Sequence, residues 1–285
     1  MFHSVWPAYA GLALLGFTVG GYGTLVGAGG GFMLMPVLLL IYPHRPAAEV
    51  AAISLACILI NTISGGIAFA KQGRIDYKSA LLFSITIIPG SILGSMATKY
   101  VPRSDFEGVF ALFLIGLSIF MFMKKTESRS KAVEHSKTCG HSSRFRRPVA
   151  KTLDGIVFEY EYNLLWAMVI FLFLGFVVSF LGIGGGALIV PTLIYLLAFP
   201  IFIAAGTSTL IIAIVCFTST VMHAALGSFH LFAVIHIMAI GSGMVFGAQA
   251  GAHLSARVKG ALIVKCLAAA LGAAGIKMIL AALAI

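Results

Sequence analysis

The segment Gly27-Ala28-Gly29-Gly30-Gly31, followed by Pro36, recurs 155 residues later as Gly182-Ile183-Gly184-Gly185-Gly186, followed by Pro191. Each copy sits inside an apolar stretch, 8–42 or 163–198, that exceeds the ~20 residues a bilayer crossing needs. Each of three adjacent glycines gives up about 1 kcal/mol of helix propensity relative to alanine, so one long tilted helix is disfavoured. The spacing predicts a break: a full crossing over 8–26 or 163–181, then a shorter piece over 32–42 or 187–198. Irregular backbone at membrane depth is tolerated where it lines a cavity. Interrupted apolar segments at matching places in two halves point to the substrate site of a secondary transporter.

Composition sets the class. Of 285 residues 60% are hydrophobic and 10% charged, against about 25% charged in soluble domains. Apolar spans run approximately over 8–42, 47–70, 79–98, 106–123, 163–198, 201–226, 231–252 and 260–284. This is an all-α polytopic membrane protein of eight hydrophobic spans. The polar segment 124–162 divides it into an N-terminal repeat, 1–123, and a C-terminal repeat, 163–285. The first span has no basic n-region or small-residue cleavage site and reads as a retained helix.

A net charge of +10 does not imply a nucleic-acid partner, because nine of the nineteen Lys/Arg fall between Lys124 and Lys151. A basic loop of this kind marks the cytoplasmic side and can touch anionic lipid headgroups; it reads as a solvated linker. Cys57, Cys216 and Cys266 lie in apolar spans and Cys139 in that loop, a pattern with no disulfide framework or zinc site.

The halves match beyond the glycines. Ile53-Ser54-Leu55 aligns with Thr207-Ser208-Thr209, and Gly73-Arg74-Ile75-Asp76 with Gly227-Ser228-Phe229-His230. If each long span is one crossing, the repeats are parallel, with twelve Lys/Arg on the side of 124–162 and five opposite. If each doubles back, there are ten helical segments, the repeats are inverted, and the count becomes fourteen against three. The positive-inside rule favours the inverted arrangement.

A helix that starts inside the membrane presents unpaired N–H groups and the positive end of its dipole. Gly29, Gly30 and Gly31, and Gly184, Gly185 and Gly186, are therefore candidate ligands of an anion held by backbone alone, with each proline expected in a first helical turn. Close helix packing is the competing reason for glycine. Ser54 and Asn61 share a helical face in the next span, as do Ser208 and Ser219, with Thr207 beside them. Ser54, Asn61, Thr207, Ser208 and the intramembrane His223 complete the candidate set; a hydroxyl bonded to its own helix is the competing role.

All nine acidic residues fall in loops or at span ends, so the usual carboxylate proton relay is not expected. Outward movement of an anion from a negative-inside cell gains about 2.3 kcal/mol per charge per 100 mV and needs no coupling ion. Lys265 and Lys277 in the last span snorkel towards the two faces. There is no HExxH, GxSxG or Walker A lysine, so an enzyme is not indicated. His135, Cys139 and His141 offer three metal ligands at unorthodox spacing, and no cofactor is called for.

The duplicated G-x-G-G-G…P segments, the Ser54 and Gly206-Thr207-Ser208 stretches, and the small-residue runs Pro89-Gly90…Gly94 and Gly247…Ala252 resemble the TauE/SafE sulfite exporter family of bacterial membrane permeases. Ile53 stands where that family usually has threonine. The resemblance implies a multi-pass protein of the bacterial inner membrane, and the basic composition of the central loop places that loop on the cytoplasmic side. It implies a small sulfur oxyanion substrate, sulfite or an organosulfonate, moved outward. A permease for another small anion such as a carboxylate, or a non-transporting scaffold or accessory subunit, is the alternative. Oligomeric state cannot be read from the sequence.

Overall fold

The structure, a computed structural model, describes residues 6–123, 145–146, 149–151, 157–159 and 162–255. The described helices are α1 Trp6–Val26, α2 Gly31–Ile41, α3 Ala47–Lys71, α4 Tyr77–Tyr100, α5 Arg103–Met123, α6 Leu164–Leu181, α7 Gly186–Pro191, α8 Ile201–Ala225 and α9 Leu231–Ser255. Helix α7 continues as a π-helical turn, Thr192–Leu196. Six of these helices (α1, α3, α4, α6, α8 and α9) are long and apolar enough to cross a membrane, and α2 and the α7–π segment form shorter apolar pieces. Helix α5 occupies the expected fourth span. The span 260–284 with Lys265 and Lys277, the basic pair Arg257 and Lys259, and the trio His135, Cys139 and His141 lie outside the described residues.

Local chemistry sets several boundaries. Asp76 caps α4, its carboxylate accepting from the amides of Lys78 (3.1 Å) and Ser79 (3.3 Å). Pro46 and Pro200 stand at the N-caps of α3 and α8, where a missing N–H costs nothing. Four short strands are described within and at the end of the polar segment. Strands β1 Phe145–Arg146 and β4 Tyr162–Asn163 pair antiparallel, as do β2 Val149–Lys151 and β3 Val157–Glu159. Valine and aromatic residues, which favour strands, populate these ladders.

Small residues decide how the spans dock. Gly243, Gly247 and Gly251 of α9 press on the backbone of Ala13, Phe17 and Gly21 in α1, so α1 and α9 run parallel. Gly90 and Gly94 of α4 press in the same way on Leu172 and Phe176 of α6, and that pair is parallel too. Hydrocarbon lipid supplies no hydrophobic drive between helices, so close backbone approach supplies the attraction. Ser64 Oγ donates to Val245 O (2.9 Å) and Gln72 Nε2 to Ala252 O (3.4 Å), which sets α3 parallel to α9. Asp76 N–H donates to Thr207 Oγ1 (3.0 Å) and Lys99 Nζ to Leu226 O (3.2 Å), which sets α8 parallel to α4. Since α3 and α4 reverse through the short loop 72–76, α1, α3 and α9 run one way and α4, α6 and α8 the other.

Two arginines fasten the ends. The Arg103 guanidinium donates to Leu39 O and Tyr42 O (both 2.8 Å) and to Arg45 O, and Nε reaches Glu107 (2.6 Å). It thereby satisfies carbonyls at the C-terminal end of α2, where a cation is favoured. At the opposite end Arg74 is 3% exposed. It is stacked on Phe202 (3.7 Å) and Phe69 (4.8 Å) and donates to Phe202 O, Gln72 Oε1 and Ser255 Oγ. Burial pulls its pKa down to about 10, which leaves it charged at neutral pH.

Candidate functional site

Both glycine segments are tight reversals. Gly27, Gly29 and Gly30 have φ of 76°, 69° and 80°; Gly182, Gly184 and Gly185 have 67°, 69° and 91°. Only glycine adopts these values without a Cβ penalty. Ala28 and Ile183, the variable residue of the motif, have ordinary φ. The last glycine has a different reason: a Cβ at Gly31 would collide with the Ile183 oxygen, and one at Gly186 with the Ala28 oxygen. Backbone geometry at three positions and contact at the fourth account for G-x-G-G-G.

The two reversals therefore abut. In the first, the amides of Ala28 and Gly29 donate back to Gly23 O (2.7 and 3.1 Å), and a Cβ at Gly30 would lie 2.7 Å from Val19 O. The chain thus folds back on α1. Residues 26–32 and 181–187 are all buried. The competing packing role is real at Gly31 and Gly186, whose α-carbons face protein backbone.

The hydroxyls expected at the site brace these turns crosswise. Ser54 Oγ donates to Gly182 O (2.8 Å), and Ser208 Oγ donates to Gly27 O (2.9 Å). Each half thus holds the turn of the other. Asn61 Nδ2 donates to Thr24 Oγ1 (3.0 Å) and Gly29 O (3.2 Å), while its Oδ1 is buried without a partner. Thr207 is not brought to a glycine turn; its hydroxyl accepts from Asp76 N–H instead. His223 stands one turn beyond Ser219, fully buried, with both ring nitrogens unpartnered.

Two residues escape the sequence reading. Thr24 bonds Asn61, and Ser179 Oγ lies 2.6 Å from Ser219 Oγ. Each stands three residues before the first glycine of its segment, so a polar residue at that shared offset was the available signal. The prolines correct an expectation. Pro36 and Pro191 are the sixth residues of α2 and α7, because each helix opens only at the last glycine. Each proline therefore cannot donate to the carbonyl four residues before it.

The helix starts leave donors unpaired. Gly30 O and Gly185 O accept the first intrahelical bonds, from Met33 and Leu34 and from Leu188 and Ile189. Among the described residues, the amides of Gly30, Gly31 and Phe32, and of Gly184, Gly185, Gly186 and Ala187, have no acceptor. Buried backbone N–H groups are nearly always paired. Seven unpaired donors on two abutting reversals form a backbone cradle whose chemistry suits an anion.

Among the described residues, six membrane-length helices and two buried glycine reversals define a polytopic membrane protein. The chain belongs to the sulfite exporter TauE/SafE family of membrane transporters, whose model matches residues 12–278. It is similar to the probable membrane transporter protein YunE of Bacillus subtilis (strain 168), 29% identical over 270 residues that span 89% of this chain and 90% of the relative. A probable membrane transporter protein of Xylella fastidiosa (strain Temecula1) is 28% identical over 200 residues, 69% of this chain and 65% of the relative. No solved structure matches.

Proposed function

We propose that this chain moves a small sulfur oxyanion, sulfite or an organosulfonate, out of the bacterial cytoplasm, holding it at the N-terminal ends of α2 and α7. The seven buried, unpaired amides carry this reading. A helix start inside the membrane with no acceptor is costly unless an anion visits it. Asn61, Ser54 and Ser208 keep the turns in shape around it. The abutting turns correspond to an occluded state, and binding requires the two reversals to part.

Two inverted repeats, 1–123 and 163–285, fit the helix directions, since α1 opposes α6, α3 opposes α8 and α4 opposes α9. In that arrangement the described end of α9 lies with Lys71, Arg74, Lys78 and the polar segment, and Arg45, Lys99 and Arg103 lie opposite. Fourteen Lys/Arg then face the cytoplasm with the central loop and three face outward. Export runs down the membrane potential, by about 2.3 kcal/mol per charge per 100 mV.

The test is flux of sulfite, methanesulfonate and acetate in proteoliposomes, with thermal shifts of the purified protein by the same anions. Saturable sulfite or methanesulfonate flux exceeding that of acetate is expected. Faster acetate transport would reassign the substrate to carboxylates, and no flux of any anion would leave a scaffold.

A further inference from the structure

We propose that Ser95, Thr220 and His223 form a second polar station, between α4 and α8, where the anion binds together with a proton on the imidazole. The inference rests on the permease reading and names the coupling that reading leaves open. Setting aside two tyrosines that have partners, six buried side-chain polar atoms among the described residues have none; four are Ser95 Oγ, Thr220 Oγ1, His223 Nδ1 and His223 Nε2. Thr220 and His223 are three apart on α8, hence neighbours on its surface. The α4–α8 register, fixed by Asp76–Thr207 and Lys99–Leu226, sets Ser95 level with His223.

These orphans are exceptional for their helices. Ser84, Ser91 and Thr98 of α4 donate to carbonyls of their own helix, as do Thr209 and Thr218 of α8. Ser95 and Thr220 do not. Nor does the duplicated framework require an imidazole there, because the position matching His223 in the first half is Phe69. The station also adjoins the glycine site: Ser219, one turn back on α8, meets Ser179 at 2.6 Å, and Gly182 follows Ser179 by three residues.

The donor inventory selects the ligand. A neutral imidazole has one donor and one acceptor, whereas an imidazolium has two donors. An oxyanion offers only acceptors; it accepts from the two hydroxyls and from one ring N–H, and that bond is charge-assisted and stronger when His223 carries a proton. A lone buried imidazolium is costly, and the anion supplies its counter-charge. The proton enters from water and the anion accepts its hydrogen bond; no covalent bond forms or breaks.

Other titratable groups on the elements packed against α8 are Glu49, Cys57 and Lys71 on α3, Tyr77, Lys78, Lys99 and Tyr100 on α4, and Tyr195 in the π turn. α6 and α7 carry none, and α8 itself adds Cys216. Lys99 reaches the end of α8 at Leu226 O. Glu49 is at the same end of α3 but pairs with Arg45 (3.6 Å).

The experiment is titration calorimetry of the purified full chain with methanesulfonate and sulfite, in buffers of different ionisation enthalpy, between pH 5.5 and 8. Methanesulfonate does not itself titrate in that range, so protons taken up with it belong to the protein. The expected result is net proton uptake, with affinity falling up to about tenfold per pH unit on the alkaline side. His223→Gln should abolish the uptake and flatten the pH profile, while Ser95→Ala weakens binding several-fold and keeps the uptake. If His223→Gln does not fold, the wild-type proton count decides alone. Binding without proton uptake, at an affinity independent of pH, overturns this inference and leaves the permease reading standing. No binding of either anion at any pH overturns both.

Discussion

Gly30→Ala and Gly185→Ala are the same substitution at matching places in the two halves, and their costs should differ. Both residues have left-handed backbone, φ 80° and 91°, so each alanine pays about 1–2 kcal/mol of Cβ strain. At Gly185 the nearest atom to an added Cβ is Ile189 Cδ1 at 2.7 Å, followed by Val178 Cγ1 at 3.1 Å. The free end of an isoleucine can rotate away, so little is added. At Gly30 the nearest atom is Val19 O at 2.7 Å, with Val19 Cγ1 at 3.1 Å and the Val19 carbonyl carbon at 3.3 Å. A backbone oxygen within α1 yields only if the reversal lifts off that helix. Overpacking of this kind adds about 1–3 kcal/mol. Gly185→Ala should therefore cost about 1–2 kcal/mol and Gly30→Ala about 2–5 kcal/mol. Thermal unfolding of the two purified variants in one detergent measures the difference; at roughly 2–4 °C per kcal/mol, Gly30→Ala should melt several degrees below Gly185→Ala. Equal melting temperatures, or the reverse order, would refute the fold-back of the first turn onto Val19.

Three further outcomes are expected. Ser54→Ala and Ser208→Ala each strand a buried turn carbonyl and should each cost about 1–3 kcal/mol; melting curves of the singles and the double check this, and a silent variant would break the crossed bracing. Arg103→Gln removes the cation that holds the end of α2 and should lose about 2 kcal/mol, most clearly as faster amide exchange over residues 38–45; unchanged exchange there would contradict the clamp. Arg74→Lys keeps the charge but loses the planar stack between Phe69 and Phe202, so a melting temperature equal to wild type would argue that the stack contributes nothing.

Much of the fold was legible because it depends on local properties. Chain breaks at Gly27–Gly31 and Gly182–Gly186 follow from φ, which each glycine sets by itself, and membrane class follows from hydropathy summed over single spans. Ser54 and Asn61 share one face of α3 and Ser208 lies on α8, and all three bond to the glycine turns. Thr207 stands apart from them: the next residue on a helix lies about 100° round the axis, and this hydroxyl meets the α3–α4 loop. The prolines were placed a turn early because the sequence does not say which glycine opens the helix.

By itself, the sequence determined a polytopic membrane protein with a glycine segment that recurs 155 residues on, and its family. Only the tertiary structure decided that the two breaks press on each other and that Ser54 and Ser208 are exchanged between halves. It also decided that Gly31 and Gly186 are glycine for a neighbour's sake and not for their own dihedrals. The reason is range: dihedral preference and hydropathy belong to a residue and its near neighbours. A contact such as Gly186 against Ala28 depends on the rotation and depth of four helices at once, and no single segment encodes those.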